Sequence, residues 1–330
     1  MRPTDPATGA HACRVALEPH RHDAMHPELD DWRANVGEPV VLDYAPPAAP
    51  RLHGIDVLSW NVAIGLGRLE NVLTALREGA FGGAAMTQDR PLVLLLQEAY
   101  RADDTVPGRA GSRYHGGRFT VHDGRHDVVR LASELGLSLR YSPSMRNGDD
   151  ASDRGNAILC TASLQDAEAV LLPYVRQRRV AVAAGLAGHP ELSFVSAHLD
   201  THGQPRSQRV PLRFGAGRAA QAEALASVLG QRRGSLILGA DLNSVLGMSD
   251  PAVRALVASG MRPARRIGSW RHTLHAPLRL LLDHVFYRCA ARRVAGAEVV
   301  RLDEARDDRS PGVFGSDHHP LLARIELNQS

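Results

Sequence analysis

The stretch Ser235-Leu-Ile-Leu-Gly-Ala-Asp-Leu-Asn243 joins an apolar run to two polar residues. A short continuous apolar run is typical of a strand buried on both faces, so the sequence predicts a strand over residues 235–239. Asp241 and Asn243 follow this strand directly. Taken alone, they fit an Asx turn at the start of the next segment equally well. Their significance therefore depends on whether the same pattern occurs elsewhere in the chain.

Polar residues also stand at the ends of other predicted strands. They are Asn61 after strand 55–60, Gln97 and Glu98 after strand 91–96, and His198 and Asp200 after strand 192–197. Two further groups are Asp283 and His284 inside the apolar stretch 280–287, and Asp317, His318 and His319 before a last strand over 320–327. Acids and amides at successive strand ends tend to converge at one edge of a sheet. Proteins that combine helices and strands commonly bind ligands at this edge. The sequence therefore predicts a single polar site built from distant segments.

The remaining pattern places helices irregularly among the strands. Helices are predicted over 66–78, 128–135, 219–229 and 251–259, and additional strands over 157–160, 167–172, 180–186 and 297–302. These assignments follow from apolar spacing and from glycine stops such as Gly136. Several strands follow one another without a helix between them, which favours an α+β class with mixed sheets.

Composition excludes several classes of protein. The 330 residues are 44% hydrophobic and 23% charged, as in soluble globular proteins. No run approaches the roughly 20 apolar residues that span a bilayer, so we expect no transmembrane segment. All 39 basic residues are arginine, which excludes Schiff-base chemistry and a P-loop lysine. The net charge of +3 does not by itself indicate a nucleic-acid-binding protein.

The cysteines and the N-terminus suggest a cytoplasmic protein with one main domain. Cys13, Cys160 and Cys289 are far apart and form no C-x-x-C pair, which is typical of a reducing compartment. Residues 1–50 are rich in proline and are predicted to be an extension that is partly disordered or packed on the surface. Residues 51–330 are predicted to form the catalytic domain.

The predicted polar site combines residue types that suit phosphate ester hydrolysis. A carboxylate such as Asp283 in so apolar a stretch needs a partner, because burying it unpaired is costly. Four carboxylates, two amides and two histidines supply an oxygen-ligand metal site together with an acid–base pair. Mg²⁺ prefers such ligands and neutralises the charge that develops on a transferring phosphoryl group.

The motifs that carry these residues resemble those of a known superfamily. They are Ser-Trp-Asn61, Leu-Gln-Glu98, Ser-Ala-His198-Leu, Gly-Ala-Asp241-Leu-Asn243, Leu-Asp283-His-Val-Phe and Ser-Asp317-His318-His-Pro. In this order they resemble the endonuclease/exonuclease/phosphatase superfamily, over about residues 55–327. The resemblance implies a four-layer α/β/β/α sandwich, with two mixed sheets packed face to face and the site at one edge.

The resemblance also implies roles for these residues. Asn61 and Glu98 would bind the divalent metal, Mg²⁺ or alternatively Mn²⁺, and Asp317 would support it or a second ion. Asp241 would orient or deprotonate the attacking water, and Asn243 would position the water or the phosphate. The further catalytic residues implied are His198, which stabilises the phosphoryl oxygens, and His318, an acid–base group paired with Asp283. Whether Asp241 or His318 is the general base stays open at this point.

The resemblance implies a metal-dependent phosphodiesterase or phosphatase, and the sequence leaves the class of its phosphate ester substrate open. Candidate residues for contact with the substrate are Asn156 and, in the loop after His198, Arg206, Arg209 and Arg213. The presence of Asn156 is explained equally well by a turn at this position. Arginine binds phosphate in a bidentate manner, but in a lysine-free chain it also supplies every ordinary solvated positive charge. The alternatives are a nuclease acting on DNA or RNA and a non-catalytic phosphate-binding module of the same fold. An amidase or peptidase is disfavoured, because the sequence has no H-E-x-x-H motif.

Overall fold

Two mixed β-sheets form the centre of the molecule. The computed structural model describes residues 27–80, 86–110, 124–201, 215–275, 277–290, 294–304 and 313–328. The first sheet contains β1 (Val40–Leu42), β2 (Gly54–Asn61), β3 (Leu92–Arg101), β4 (Ser138–Arg146), β5 (Asp153–Cys160), β11 (Arg265–Arg266), β13 (Val294–Arg301) and β14 (Leu321–Leu327). The second sheet contains β6 (Leu164–Leu171), β7 (Val180–Leu186), β8 (His189–His198), β9 (Ser235–Asp241), β10 (Arg262–Pro263) and β12 (Asp283–Arg288).

Strand order shows how the site residues reach one edge. The first sheet runs β1-β4-β5-β3-β2-β14-β13-β11 and the second runs β10-β12-β9-β8-β7-β6. β2 pairs with β3 in parallel and β8 pairs with β9 in parallel, whereas β14, β5 and β12 pair antiparallel with β2, β3 and β9. The carboxyl ends of β2, β3, β8 and β9 can therefore face one another across the two sheets.

Helices cover the outer faces of both sheets. They are α1 (Pro27–Arg33), α2 (Leu69–Arg77), α3 (Val128–Leu135), α4 (Ala216–Gly230) and α5 (Pro251–Ala258). Leu73 of α2 and Leu131 of α3 pack in one cluster with Leu94 of the first sheet. A second cluster joins α4 and α5 to the second sheet, and a third, which includes Val93 and Phe194, lies between the sheets. These layers confirm the predicted four-layer sandwich. Within the described ranges, no helix is both long and apolar enough to cross a membrane.

Most predicted helices and strands are present, with shifted boundaries. The helix predicted over 66–78 begins only at Leu69, because Ala63 and Ile64 both have a positive φ and turn the chain after β2. The helix predicted over 128–135 has those bounds. The Asp127 side chain caps its start, and Gly136, with a φ of 65°, ends it. The strand predicted over 280–287 begins only at Asp283, so Asp283 opens β12 instead of lying within it.

Strand β4 was not predicted from the sequence. Its residues include Pro143, three serines and two arginines, which do not form a strand pattern. The short β1 pairs with β4 only from Leu139 to Tyr141. The pairing of β4 with β5 is irregular between Pro143 and Met145. Proline is tolerated in a sheet at such unpaired or bulged positions, since it donates no ladder hydrogen bond.

Part of the predicted N-terminal extension packs on the sandwich. β1 is the edge strand of the first sheet, and Leu29 and Trp32 of α1 lie in one cluster with Leu171 and Val180. Residues 1–26 of the extension lie outside the described residues. The domain boundary at residue 50 stays a prediction.

A buried carboxylate ties this N-terminal segment to the first sheet. Asp153 accepts hydrogen bonds from Arg101 Nε at 3.0 Å, from Tyr141 Oη at 2.7 Å and from the backbone N–H of Gly37 at 2.9 Å. Arg101 and Asp153 are both fully buried. An ion pair without solvent needs these additional donors to offset its desolvation.

We expect Tyr141→Phe to lower the free energy of unfolding by about 2 kcal/mol, because it removes one hydrogen bond to a buried charge. Urea denaturation of the variant and the wild type would measure the difference. Tyr44→Phe is the matched control, since Tyr44 is 45% exposed and should tolerate the change. Equal stabilities of the Tyr141 variant and the wild type would contradict this account of the network.

Candidate active site

Strand register brings three of the predicted residues side by side in the second sheet. His198 at the end of β8 is paired with Asp241 at the end of β9, and Asp241 is paired with Asp283 at the start of β12. In the first sheet, Asn61 at the end of β2 is paired with Gln97 of β3. The polar residues of the two sheets therefore meet at one edge of the sandwich.

A glycine allows the two sheets to approach closely beneath this edge. A Cβ at Gly239 of β9 would lie 2.6 Å from Ser59 Oγ of β2, closer than atoms can pack. Gln97 bridges the same gap and donates from Nε2 to Ser196 Oγ at 3.1 Å. The close approach puts Asn61 of one sheet within hydrogen-bonding distance of Asp241 in the other.

Asp241 is the central residue of the cluster. Its Oδ2 accepts from Asn61 Nδ2 at 2.9 Å, and its Oδ1 accepts from the backbone N–H of Asn243 at 2.9 Å. Burial and the nearby Asp283 carboxylate raise the pKa of Asp241 to about 7, although His318, Asn61 and Asn243 oppose the rise. A carboxylate with this pKa can both accept and release a proton near neutral pH.

His318 and Asp283 form a buried pair next to Asp241. His318 Nδ1 lies 2.7 Å from Asp283 Oδ2, and His318 Nε2 lies 3.9 Å from Asp241 Oδ2. Burial alone would lower the pKa of His318, but the Asp283 and Asp241 carboxylates outweigh it and raise the pKa to about 10. Trp60 Nε1 donates to the backbone carbonyl of His318 at 2.8 Å and holds this segment in place. His318 is therefore protonated at neutral pH and can donate a proton.

His198 lies on the other side of Asp241 and is neutral. Burial, followed by the charges of Arg179, His318 and Arg154, holds the pKa of His198 well below its usual value. Its Nε2 lies 3.0 Å from Asn243 Nδ2 and 3.4 Å from Asp241 Oδ2. With Asn243 as donor to Nε2, the ring proton is assigned to Nδ1, which lies 3.8 Å from Glu98 Oε1.

Glu98 reaches the cluster through an irregularity in β3. The pairing of β3 with β5 shifts between Leu96 and Ala99, and Glu98 has a φ of 53°. A non-glycine residue in this region is uncommon and costs free energy, and such residues concentrate at functional sites. The bulge leaves the Glu98 side chain 22% exposed, next to His198.

A small cavity with two arginines adjoins Glu98 and His198. Its lining includes Arg154, Asn156 and Arg179. Asn156 donates from Nδ2 to the carbonyl of Val180 at 2.6 Å, while its buried Oδ1 has no hydrogen-bond partner among the described residues. Arg179 is only 4% exposed, so its charge is held inside the protein beside the cavity. This part of the site is cationic, and we call it the arginine pocket (Arg154, Asn156 and Arg179).

The structure brings most of the predicted site residues together. Those in the cluster or the adjoining pocket are Asn61, Glu98, Asn156, His198, Asp241, Asn243, Asp283 and His318. Asp317 lies at its margin, with Oδ1 4.0 Å from His318 Nε2 and its side chain 63% exposed. Arg206, Arg209 and Arg213 lie outside the described residues. The roles of all these residues stay predictions.

One residue at a strand end lies away from the site, and one residue of the site has no clear signal in the sequence. Asp200, which also follows β8, accepts hydrogen bonds from the backbone N–H groups of Arg176 and Gln177 at 2.8 Å, so it shapes a turn. Arg154 was not singled out by the sequence. In the sequence it is marked only by its position just before the Gly-Asn-Ala segment. It reaches the site because β5 packs on β7.

Comparison with known proteins identifies a family. The model of the Endonuclease/Exonuclease/phosphatase family matches residues 58–318. None of the curated protein sequences compared with this chain matches it. The matched range includes the site residues Asn61 to His318, in the order in which they occur in the chain.

Several solved structures share the fold. The catalytic domain of human Nocturnin, solved with bound sulfate, has a TM-score of 0.51 and 17% identity, and the match covers 88% of this chain and 98% of that one. A family protein from Leptotrichia buccalis has a TM-score of 0.51 and 13% identity, covering 83% of this chain and 100% of that one. A 3′ phosphatase from Neisseria, solved with a product DNA hairpin, has a TM-score of 0.50 and 17% identity, covering 83% and 99%.

Proposed function

The chain belongs to the endonuclease/exonuclease/phosphatase family, and we propose that it is a divalent-metal-dependent hydrolase of phosphate esters. Members of the family are hydrolases that act on phosphate esters. The observation that supports the proposal is a continuous set of contacts at one edge of the sandwich. It runs from Glu98 through His198 and Asp241 to His318 and Asp283. This set contains a base with a pKa of about 7 next to a protonated acid.

The donor atoms of this edge fit a divalent cation. Oxygens of Asp241 and Asp283 and a ring nitrogen of His318 lie within 4.8 Å of one another, and Asp283 Oδ1 is buried without a hydrogen-bond partner in the described structure. Together with Glu98, this edge carries three carboxylates, and hard oxygen donors favour Mg²⁺ or Mn²⁺.

We assign the metal to Glu98 and Asn61, with Asp317 in support. Asp241 and Asp283 are left for proton transfer, because Asp241 already accepts hydrogen bonds from Asn61 and Asn243 and Asp283 Oδ2 lies 2.7 Å from His318 Nδ1. Asn61 Oδ1 already accepts the N–H of Ala63 at 3.0 Å and retains a second lone pair. His318 is a less suitable ligand, because its Nδ1 is engaged by Asp283. When bound, the ion neutralises negative charge on the phosphoryl oxygens.

Two groups of the chain then move protons. Asp241 accepts a proton from the attacking water, since its pKa of about 7 places it near the optimum for a general base. His318, protonated and held by Asp283, donates its Nε2 proton to the oxygen that leaves phosphorus. Asn243 is fixed by His198 and by the carbonyl of Leu199, so it can orient the water or the phosphate.

The arginine pocket supports a place for the anionic part of the substrate. Asn156 was predicted as a phosphate contact, and Arg154 and Arg179 add two positive charges beside it. Arginine binds phosphate oxygens through two parallel N–H groups. We therefore place the charged side of the phosphoester at this pocket, next to Glu98 and His198.

The metal requirement gives the first test. With bis-p-nitrophenyl phosphate as a water-soluble ester, we expect turnover with Mg²⁺ or Mn²⁺, loss of turnover with EDTA, and recovery when the ion is restored. Binding of Mn²⁺ alone, measured by calorimetry, should weaken by about tenfold or more in Glu98→Gln, since loss of a carboxylate ligand removes direct coordination.

Glu134→Gln is the matched control, because Glu134 is an exposed carboxylate on α3 that pairs with Arg130. It should bind Mn²⁺ like the wild type. Turnover that continues in EDTA, or equal Mn²⁺ affinity in Glu98→Gln and the wild type, would overturn the metal assignment.

A further inference from the structure

Two loops beside the candidate site carry an exposed aliphatic surface, which we call the apolar rim (Val245, Leu246, Met248 and Leu278). These side chains are 38%, 53%, 39% and 67% exposed. Among the described residues, Tyr44 and Val257 are the other large apolar side chains exposed to this degree. Four of these six residues lie on two loops that contact each other through Gly247 and Leu281, and exposed apolar residues that group on the surface mark binding sites.

The apolar rim is built directly onto the catalytic segments. Its first loop follows Asn243, and Ser244 Oγ donates to the carbonyl of Leu281 in the second loop at 3.0 Å. A Cβ at Gly247 would lie 3.7 Å from Leu281 Cδ2, so the two loops are in contact. The second loop also joins the His318 segment, because His275 N–H donates to the carbonyl of Asp317 at 2.8 Å. The rim therefore borders the His318 side of the site.

The arginine pocket lies at the opposite side of the same site. It belongs to β5, β7 and their flanks, while the apolar rim belongs to the segments around β9 and β12. Since β9 and β8 separate β12 from β7 in the second sheet, the charged and apolar regions stand at two ends of the catalytic edge. A phosphoester bound between them would have one anionic side and one apolar side.

The chemistry of the rim favours acyl chains over nucleobases. Its four residues are aliphatic or thioether side chains, whereas proteins that bind unpaired bases use aromatic stacking platforms. Arg271 and Arg279, both exposed, lie in the second loop. Apolar side chains next to arginines are the combination by which proteins bind an anionic lipid surface.

We propose that the apolar rim docks on an anionic phospholipid bilayer and presents the catalytic edge to phosphoesters in the lipid headgroups. The proposal rests on the proposed function, whose substrate class it narrows. Leu246 and Leu278, the most exposed members of the rim, enter the acyl boundary, while Arg271 and Arg279 contact the anionic headgroups. Docking in this orientation brings lipid phosphate to the edge that holds Asp241 and His318.

Vesicle binding tests this proposal. We expect the protein to sediment with phosphatidylglycerol–phosphatidylcholine vesicles and less with phosphatidylcholine alone. The double variant Leu246→Gln/Leu278→Gln should bind at least about tenfold more weakly, because two buried leucines are lost from the lipid contact. Phosphatidylglycerol vesicles should also inhibit hydrolysis of the water-soluble ester by the wild type more than by the variant.

Val257→Gln is the matched control, since Val257 is an exposed aliphatic residue near the far end of α5 and should bind vesicles normally. The double variant should hydrolyse the water-soluble ester at the wild-type rate, which separates docking from catalysis. Absence of vesicle binding in the wild type, or equal binding by the double variant, would overturn the proposal. If the wild type does not bind vesicles and the double variant changes the oligomeric state, the proposal is also overturned. The rim would then be assigned to contacts between copies of the chain. A wild type without metal-dependent turnover would instead contradict the proposed function.

Discussion

Asp241→Asn is expected to lower kcat on a water-soluble phosphoester by about three orders of magnitude, with little change in KM. The substitution removes the carboxylate that accepts the proton of the attacking water. It also disturbs two hydrogen bonds, because Asp241 accepts at both oxygens, from Asn61 and from Asn243 N–H. An amide offers one acceptor oxygen, so one of the two donors would face an NH₂ group. Steady-state kinetics with Mg²⁺ would measure the loss.

The control for this variant is Glu223→Gln, the same carboxylate-to-amide change at an exposed position of α4. Its kinetics should match those of the wild type. Thermal unfolding of Asp241→Asn distinguishes loss of catalysis from loss of folding. If a folded Asp241→Asn protein kept more than about a tenth of the wild-type kcat, Asp241 would not be the general base, whose removal costs at least about a hundredfold.

The general position of Asp241 could be predicted from its sequence, but its contacts could not. An apolar run followed by polar residues predicts a strand that ends in polar side chains, and β2, β8 and β9 have this form. The register that aligns His198, Asp241 and Asp283 joins segments that are far apart in the chain. Register depends on the packing of whole strands, so it is not a property of any local stretch.

Glu98 illustrates a second limit. The sequence predicts a strand over 91–96 that ends before it, whereas β3 continues to Arg101 and contains Glu98 within a bulge. The positive φ of Glu98 has no local signal, because glycine or asparagine would be the usual residue there. Packing of the two sheets must stabilise this conformation, so only the assembled fold shows why the carboxylate faces His198.

The arginine pocket and the apolar rim depend on the same long-range packing. Arg154 and Arg179 are ordinary basic residues in a lysine-free sequence, and they become a pocket only because β5 packs across from β7. The leucines of the rim resemble core residues in sequence, and the structure shows them exposed. Sequence patterns thus predict the residues of the polar cluster, whereas the arginine pocket and the apolar rim become visible only in the fold.

Asp283→Asn is expected to lower kcat by roughly three to four orders of magnitude, as loss of the carboxylate does in other His–Asp pairs. Asp283 Oδ2 lies 2.7 Å from His318 Nδ1 and is a main reason why the pKa of His318 is raised to about 10. Burial lowers the pKa of His318. Without the charge of Asp283, the carboxylates of Asp241 and the more exposed Asp317 remain to raise this pKa, so it falls. Because the mechanism needs protonated His318, activity should decline as pH rises through the lowered pKa.

The pH dependence of kcat/KM separates this role from a structural one. The alkaline limb of the profile should begin at lower pH in Asp283→Asn than in the wild type. Asp303→Asn is the matched control, since Asp303 Oδ1 lies 2.7 Å from Nδ1 of the neighbouring His319. That variant should leave the alkaline limb in place. An unshifted limb in a folded Asp283→Asn protein would mean that His318 is not the acid, and the proton would have to reach the leaving oxygen from another group.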